Sequence, residues 1–212
     1  MFSFVKIKFS EKNLIFLTIL FFFLKNYFYS DKDFLIGEEY WFYNNYNLNE
    51  LIHFFKNITW PEYSNYYRPL LQITYALEQL ITDKVIYYWF TNEILYFTCI
   101  LLLFKLLKKT LSFQVSLITL IMFMLFPSHS YQIELITHRG DLISLIFFLI
   151  ALLLSQTKSN ILNFSFYLII LTFTSILFRE NGIILPFIAL AGSALSRFQL
   201  KKRILSSIFI FL

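Results

Sequence analysis

The sequence predicts an all-α, polytopic helical membrane protein of about six spans plus the start of a seventh. Apolar runs of 14–20 residues recur along a chain of only 212, more than a soluble domain of that size can pack inside itself. Glycine and proline, the weak helix formers, number only four each. The basic residues fall on alternate short connections between the apolar runs, as the positive-inside rule requires.

Lys6, Lys8 and Lys12 precede the apolar run Leu14–Leu24, and Lys25 is long enough to snorkel. The arrangement resembles a signal peptide, but the residues that follow, Asn26–Ser30, are bulky and aromatic rather than a small-residue cleavage site. The expectation is an uncleaved first span, Leu14–Tyr29. Residues 30–84 then form a long, polar and aromatic first outer loop.

Two amphipathic helices are expected in that loop. Leu48, Leu51, Ile52, Phe55 and Ile58 share one helical face; Leu70, Ile73, Thr74, Leu77 and Leu80–Ile81 share another. Pro69 suits the first position of the second helix, where its missing N–H has no intrahelical partner to lose. Both helices have the size and polarity to lie in a membrane interface rather than cross it.

Further spans are expected at Val85–Phe104, Leu111–Phe126, about Leu142–Leu154, Ile161–Phe178 and Ile183–Ser196. The run Leu142–Leu154 is short for a crossing. Either it begins earlier, drawing Thr137–Asp141 below the surface, or it inserts only partly. A seventh apolar segment starts at Ile204 and stops at Leu212, in mid-span. The chain therefore reads as a single membrane domain, 1–212, that forms the N-terminal part of a longer module, with an outer loop over 30–84 and further spans over 85–212.

With the N-terminus in the cytoplasm, the cytoplasmic pieces carry Lys6, Lys8, Lys12, Lys105, Lys108, Lys109, Lys158, Arg197, Lys201, Lys202 and Arg203. That is 11 of the 18 basic residues, with only Glu11 of the 13 acidic ones. The net charge of +5 thus follows from membrane topology and calls for no nucleic acid. The lone Cys99 lies inside an apolar run, which leaves no disulfide framework and no thiolate metal site.

The same topology sends Asp31, Asp33, Arg68, Glu134, His138, Arg139, Asp141, Arg179 and Glu180 to the outer side. The densest stretch is Phe126–Asp141, FPSHSYQIELITHRGD, with two histidines, two carboxylates and an arginine in a chain only 15% charged. Ionisable groups at membrane depth carry a penalty of a few kcal/mol, roughly 2.5–3.5 each at mid-span, so they mark functional sites by default. The plainer alternative is a polar turn between two spans. Arg179–Glu180 can likewise be a mutual ion pair closing a turn ended by Gly182.

A site handling a lipid-linked phosphate needs three things. It needs cations, and the guanidinium groups of Arg68, Arg139 and Arg179 match phosphate oxygens in bidentate fashion. It needs a base for an acceptor hydroxyl, and Asp31 or Asp33 stands just beyond the first span. It needs an apolar groove for the lipid, which the two amphipathic helices can wall. His129, Glu134, His138 and Asp141 match no strong metal-ligand spacing, so no metal and no cofactor are expected. Asn57-Ile58-Thr59 fits a short glycosylation sequon on the outer side.

Several of these pieces, in order, resemble the N-terminal half of the GT-C superfamily of membrane glycosyltransferases. The branch is that of the tetratricopeptide-repeat transmembrane O-mannosyltransferases and bacterial protein mannosyltransferase-like proteins. Tyr67-Arg68-Pro69-Leu70 resembles that branch's Y-R-P-L in the first outer loop. Phe126-Pro127-Ser128-His129 with Glu134 through Arg139 resembles its H-P-x-H-x-E-x-x-x-x-x-x-R-x-D segment. Phe178-Arg179-Glu180-Asn181-Gly182, with Pro186, resembles S-K-E-x-x-x-x-x-P. The similarity runs from about Asp31 to Arg197.

The resemblance implies a GT-C-like fold and a polyprenyl-phosphate-linked sugar as donor. It also implies an acidic residue of the first outer loop as base, here Asp31 or Asp33, with a glycan, lipid or protein as acceptor. Three departures are visible. Lys32 separates two acids that are usually adjacent, Phe126 stands for the histidine before the proline, and Arg179 stands for the lysine before the glutamate. The membrane implied is the inner (plasma) membrane of a bacterium or the ER membrane of a eukaryote. Two rivals stand beside this reading: a transporter or flippase half, for which Glu93 is the in-span carboxylate, and a truncated non-catalytic remnant or assembly subunit.

Overall fold

The computed structural model describes Asn13, Leu20 and residues 67–81, 84–125, 135–156 and 161–195. The chain divides into two units, Met1–Phe34 and Leu35–Leu212. Asn13 and Leu20 are helical positions of the first unit; all that follows concerns the second. The rest of the expected first span apart from Leu20, the helix around Leu48–Ile58 and the segment from Ile204 lie outside the described residues.

The described residues are all-helical, with no strand among them. We number their α-helices α1 (Pro69–Ile81), α2 (Val85–Leu107), α3 (Phe113–Leu125), α4 (Arg139–Ser155), α5 (Ile161–Phe178) and α6 (Leu185–Leu195). Short 3-10 turns precede α4 (Ile136–His138) and α6 (Glu180–Ile184).

Side-chain contacts fix the helix directions. Asn92 and Cys99 of α2 reach the carbonyl oxygens of Leu135 and Leu142, and Lys109 beyond its end reaches that of Leu153, so α2 and α4 run parallel. Ring pairs Tyr96–Phe123 and Phe104–Phe113 set α3 antiparallel to α2. Phe178 at the end of α5 meets Phe147 and the backbone of Gly140, so α5 returns antiparallel to α4. Gly192 packs on Leu152 and Ser155, which aligns α6 with α4 again. Successive helices from α2 to α6 therefore alternate in direction.

Helix α4 sits between α2 on one side and α5 and α6 on the other, and α1 lies against α5 and α2. The core between α4, α5 and α6 is built from Ala151, Phe164, Leu168, Leu185 and Ala189. Small residues let these axes close up: a side chain on Gly192 would collide with Ser155 Oγ and Leu152. A second cluster, Leu71, Tyr75, Tyr88 and Ile136, locks α1 to the starts of α2 and α4.

The boundaries differ from the expectation where polar residues belong to helices. The run Leu142–Leu154 does begin earlier: α4 starts at Arg139, after a 3-10 turn closed by His138 N–H donating to Leu135 O at 3.1 Å. Asp141 falls in its first turn, where a carboxylate complements the helix dipole. The segment expected over Ile183–Ser196 is a 3-10 turn followed by α6, because Gly182 folds back on the end of α5.

In α1, Pro69 does open the helix, and Gln72 N–H donates to Arg68 O at 3.2 Å as its first hydrogen bond. The buried face is Pro69, Leu71, Gln72, Tyr75 and Ala76. Leu77, Leu80 and Ile81 of the expected apolar stripe are exposed, Ile81 at 83%. Tyr75 takes an inward position because its hydroxyl finds a partner there, Oη donating to Ile136 O at 2.7 Å.

Two helices are long and apolar enough to cross a membrane, Ile86–Leu107 and Ile136–Ser155; Phe113–Met124, Leu162–Phe178 and Glu180–Gly192 are shorter apolar helices. Large apolar side chains also cover the outside of the bundle, among them Ile118, Met122, Phe166, Phe173 and Phe187. In water such a surface would be an aggregation liability; against lipid tails it is the expected exterior.

Candidate functional site

Three charged clusters gather where α1, α2 and α4 begin and α5 ends. Lys105, Lys108 and Lys109 lie at the opposite end, where α2 turns into α3.

The first cluster is Arg68 with Glu180. The guanidinium donates from Nε to Oε2 at 2.9 Å and from Nη2 to Oε1 at 2.5 Å, a two-pronged geometry. Arg68 is placed by the start of α1, and Glu180 opens the 3-10 turn after α5. The Arg68 side chain is 17% exposed and that of Glu180 is 51% exposed. The hydrogen bonds from Arg68 hold the Glu180 carboxyl below its ordinary value of 4.5, against the opposing effect of partial burial; the charges of Arg68 and Arg179 add to the lowering.

That shift carries a pH dependence. A carboxyl depressed in the folded state contributes stability above the unfolded value, and loses it as pH falls through the folded value. The contribution of the Arg68–Glu180 pair is therefore full at neutral pH, begins to fall as pH nears about 4.5 and is lost once pH drops below the depressed folded value. Half-exposed, the pair is worth at most about 1 kcal/mol. Thermal unfolding of the wild type and Glu180→Gln between pH 3 and 7 is expected to show a difference at pH 7 that narrows towards pH 3. A constant difference across that range would contradict the pairing.

The second cluster is centred on Asp141. Its Oδ2 receives Arg179 Nη1 at 2.7 Å and His138 Nδ1 at 3.0 Å. The break between α5 and the following turn aims Arg179: its backbone is extended (φ −159°, ψ 137°), while Arg179 N–H still donates to Ser175 O at 2.8 Å. Gly182 then approaches α5 so closely that a Cβ would lie 2.5 Å from Ile176 N and 2.6 Å from Ser175 C. Only glycine fits, and that closeness sets the positions of Arg179 and Glu180. Gly140 adds a tight contact, its absent Cβ being 3.1 Å from Phe178 O and 3.6 Å from Arg179 Cδ.

The third cluster surrounds Arg139, which is fully buried. Nε donates to Asn92 Oδ1 at 3.0 Å, Nη2 to Tyr88 O at 3.1 Å and Nη1 to Thr74 Oγ1 at 3.5 Å. Nη1 also lies 2.8 Å from Glu78 Oε2, an ion pair without hydrogen-bond alignment. The guanidinium stacks 4.5 Å from the Tyr75 ring centroid and 5.8 Å from that of Tyr88. Such a cation is consumed by the fold, tying α4 to α1 and α2.

Of the residues singled out in the sequence, Arg68, His138, Asp141, Arg179 and Glu180 stand in the first two clusters, and Arg139 is the centre of the third. Asp31, Asp33 and Glu134 lie outside the described residues, as do His129 and Asn57. Arg179 and Glu180 do not close a mutual ion pair; each reaches another segment instead. Sequence reasoning missed Thr74, Tyr75, Glu78, Tyr88 and Asn92, the cage of Arg139. The signal available was Asn92-Glu93, two adjacent polar residues inside an apolar run, both now buried. Among the described residues no group of three or more His, Cys, Asp or Glu is placed to hold a metal ion.

No protein-family model, curated protein or solved structure matches the chain.

Proposed function

We propose that the chain is a polytopic membrane glycosyltransferase of GT-C type, with about six spans plus the start of a seventh. Its cytoplasmic N-terminus leaves the charged clusters on the outer face. It transfers a sugar, with inversion, from a polyprenyl-phosphate donor to a glycan, lipid or protein acceptor. The observation that carries this reading is the pair of partly exposed arginines, Arg68 and Arg179, at one end of an apolar bundle whose other end holds Lys105, Lys108 and Lys109. The alternating helix directions and the apolar exterior support it further.

The chemistry follows from charge. A polyprenyl-phosphate sugar carries one negative charge on its phosphodiester. As the bond from the anomeric carbon to phosphate oxygen breaks, the departing polyprenyl phosphate gains a second negative charge. Arg68 and Arg179 stabilise that state more than the ground state, which is the condition for catalysis. The acceptor hydroxyl forms the new bond from the opposite side of the sugar, and its proton passes to Asp31 or Asp33. Arg139 acts through position, holding the turn that carries His138 and Asp141.

The test is release of label from polyprenyl-phosphate sugars in membranes holding the wild type, Asp31→Asn, Asp33→Asn or Arg68→Gln. One aspartate variant alone is expected to lose about 100- to 10,000-fold of the rate, the range of a general base. Retention of full transfer by both aspartate variants would remove the base assignment. Glu93 favours a second reading as a transporter half, because it is a carboxylate only 7% exposed inside α2. Flux of labelled substrate without covalent product would establish that one instead.

A further inference from the structure

We propose that Glu180 is a placeholder for a phosphate: in the resting protein its carboxylate occupies the bidentate seat on Arg68 that the phosphate group of a prenyl phosphate takes when it binds. The inference rests on the glycosyltransferase reading and deepens it by naming the ligand group and the residue it displaces.

Three features of the pair carry it. The first is shape. Two parallel N–H···O bonds, at 2.9 Å and 2.5 Å, are how a guanidinium fork holds either a carboxylate or two oxygens of a phosphate. The second is asymmetry. The Arg68 side chain is largely enclosed while half of the Glu180 side chain meets the exterior, so the cation is the fixed partner and the carboxylate the movable one. The third is surroundings. Arg179 adds positive charge at Glu180 while its own Nη1 is held by Asp141, so an arriving phosphate finds two guanidinium groups and takes the place of the Glu180 carboxylate. The exposed Ile183 and Ile184, in the same turn that Glu180 opens, give apolar surface that suits a prenyl chain.

A placeholder and a structural latch make opposite predictions. If Glu180 competes with phosphate, neutralising it must strengthen binding; if it merely orders Arg68, neutralising it must weaken binding. The full chain in nanodiscs of zwitterionic lipid is titrated with geranyl phosphate and with inorganic phosphate, alongside Glu180→Gln and Arg68→Gln. Thermal unfolding of each variant reports whether it remains folded. Geranyl phosphate is expected to bind Glu180→Gln about fivefold more tightly than wild type, the worth of an exposed ion pair removed from competition. Arg68→Gln is expected to lose binding.

Equal or weaker binding by Glu180→Gln, with the wild type still binding through Arg68, would overturn the placeholder and leave the glycosyltransferase reading standing. No binding of geranyl phosphate by wild type or Glu180→Gln would overturn both. Equal affinity for inorganic phosphate, with the Glu180→Gln gain retained, would confirm the exchange and assign the seat to free phosphate rather than to a lipid.

Discussion

Arg139→Leu is expected to destabilise the bundle by about 3–5 kcal/mol, the penalty for removing one partner of a buried ion pair. Leucine leaves the Glu78 carboxylate beside a void and takes the donors from Asn92 Oδ1 and Tyr88 O. Three helices share that cation, so the loss spreads: α1 detaches from α2 and α4, and Arg68 at the start of α1 loses its bearing on Glu180. Arg139→Lys keeps the charge but cannot bond Asn92, Tyr88 and Glu78 from one planar group, and is expected to recover only part of the stability. Thermal unfolding in detergent, followed by tryptophan fluorescence, measures both variants. An Arg139→Leu midpoint within a degree of wild type would show that the cage is not what joins these helices.

Gly182→Ala is expected to be the next most damaging change, about 1–3 kcal/mol by the usual scale of overpacking. The upper part of that range applies because the atoms in the way are backbone, Ile176 N at 2.5 Å and Ser175 C at 2.6 Å, and no rotamer change relieves them. The turn must move off α5, carrying Glu180 with it. Gly182→Ala should therefore lose ligand binding as well as stability, whereas a substitution at exposed Phe187 should alter neither beyond about 0.5 kcal/mol. Wild-type stability in Gly182→Ala would place the turn farther from α5 than described.

Much of this architecture was legible in the residues. The segment Ile161–Phe178 forms a helix with those very ends, because an uncharged, largely apolar run stops at a charged pair. Pro69 starts α1 for the reason its chemistry gives. What periodicity could not tell was which arginine faces inward. Arg68, Arg139 and Arg179 each border an apolar run, yet of the three only Arg139 is fully buried, because Asn92, Glu78 and two tyrosines from other segments converge on it. Nor could the ion pairs be read: Arg68 and Glu180 are 112 residues apart in sequence, and only the packing of α1 against α5 brings them together. The apolar stripe of α1 reads as a face for the membrane interface, and its spacing does not name the opposite face that packs inward. Its large aliphatic residues suit an apolar exterior as well as a core, and the fold gave the interior to the face that could satisfy polar atoms.

The proposed chemistry requires the charged end of the bundle to face the outside and the lysine end to face the cytoplasm. Single cysteines placed at exposed Lys84 and exposed Lys108, in a Cys99→Ala background, test this directly with a membrane-impermeant maleimide on intact cells. Lys84→Cys at the charged end is expected to label from outside, and Lys108→Cys only after the membrane is opened. Labelling of Lys108→Cys alone in intact cells, or of both positions equally, would contradict an outer-facing site.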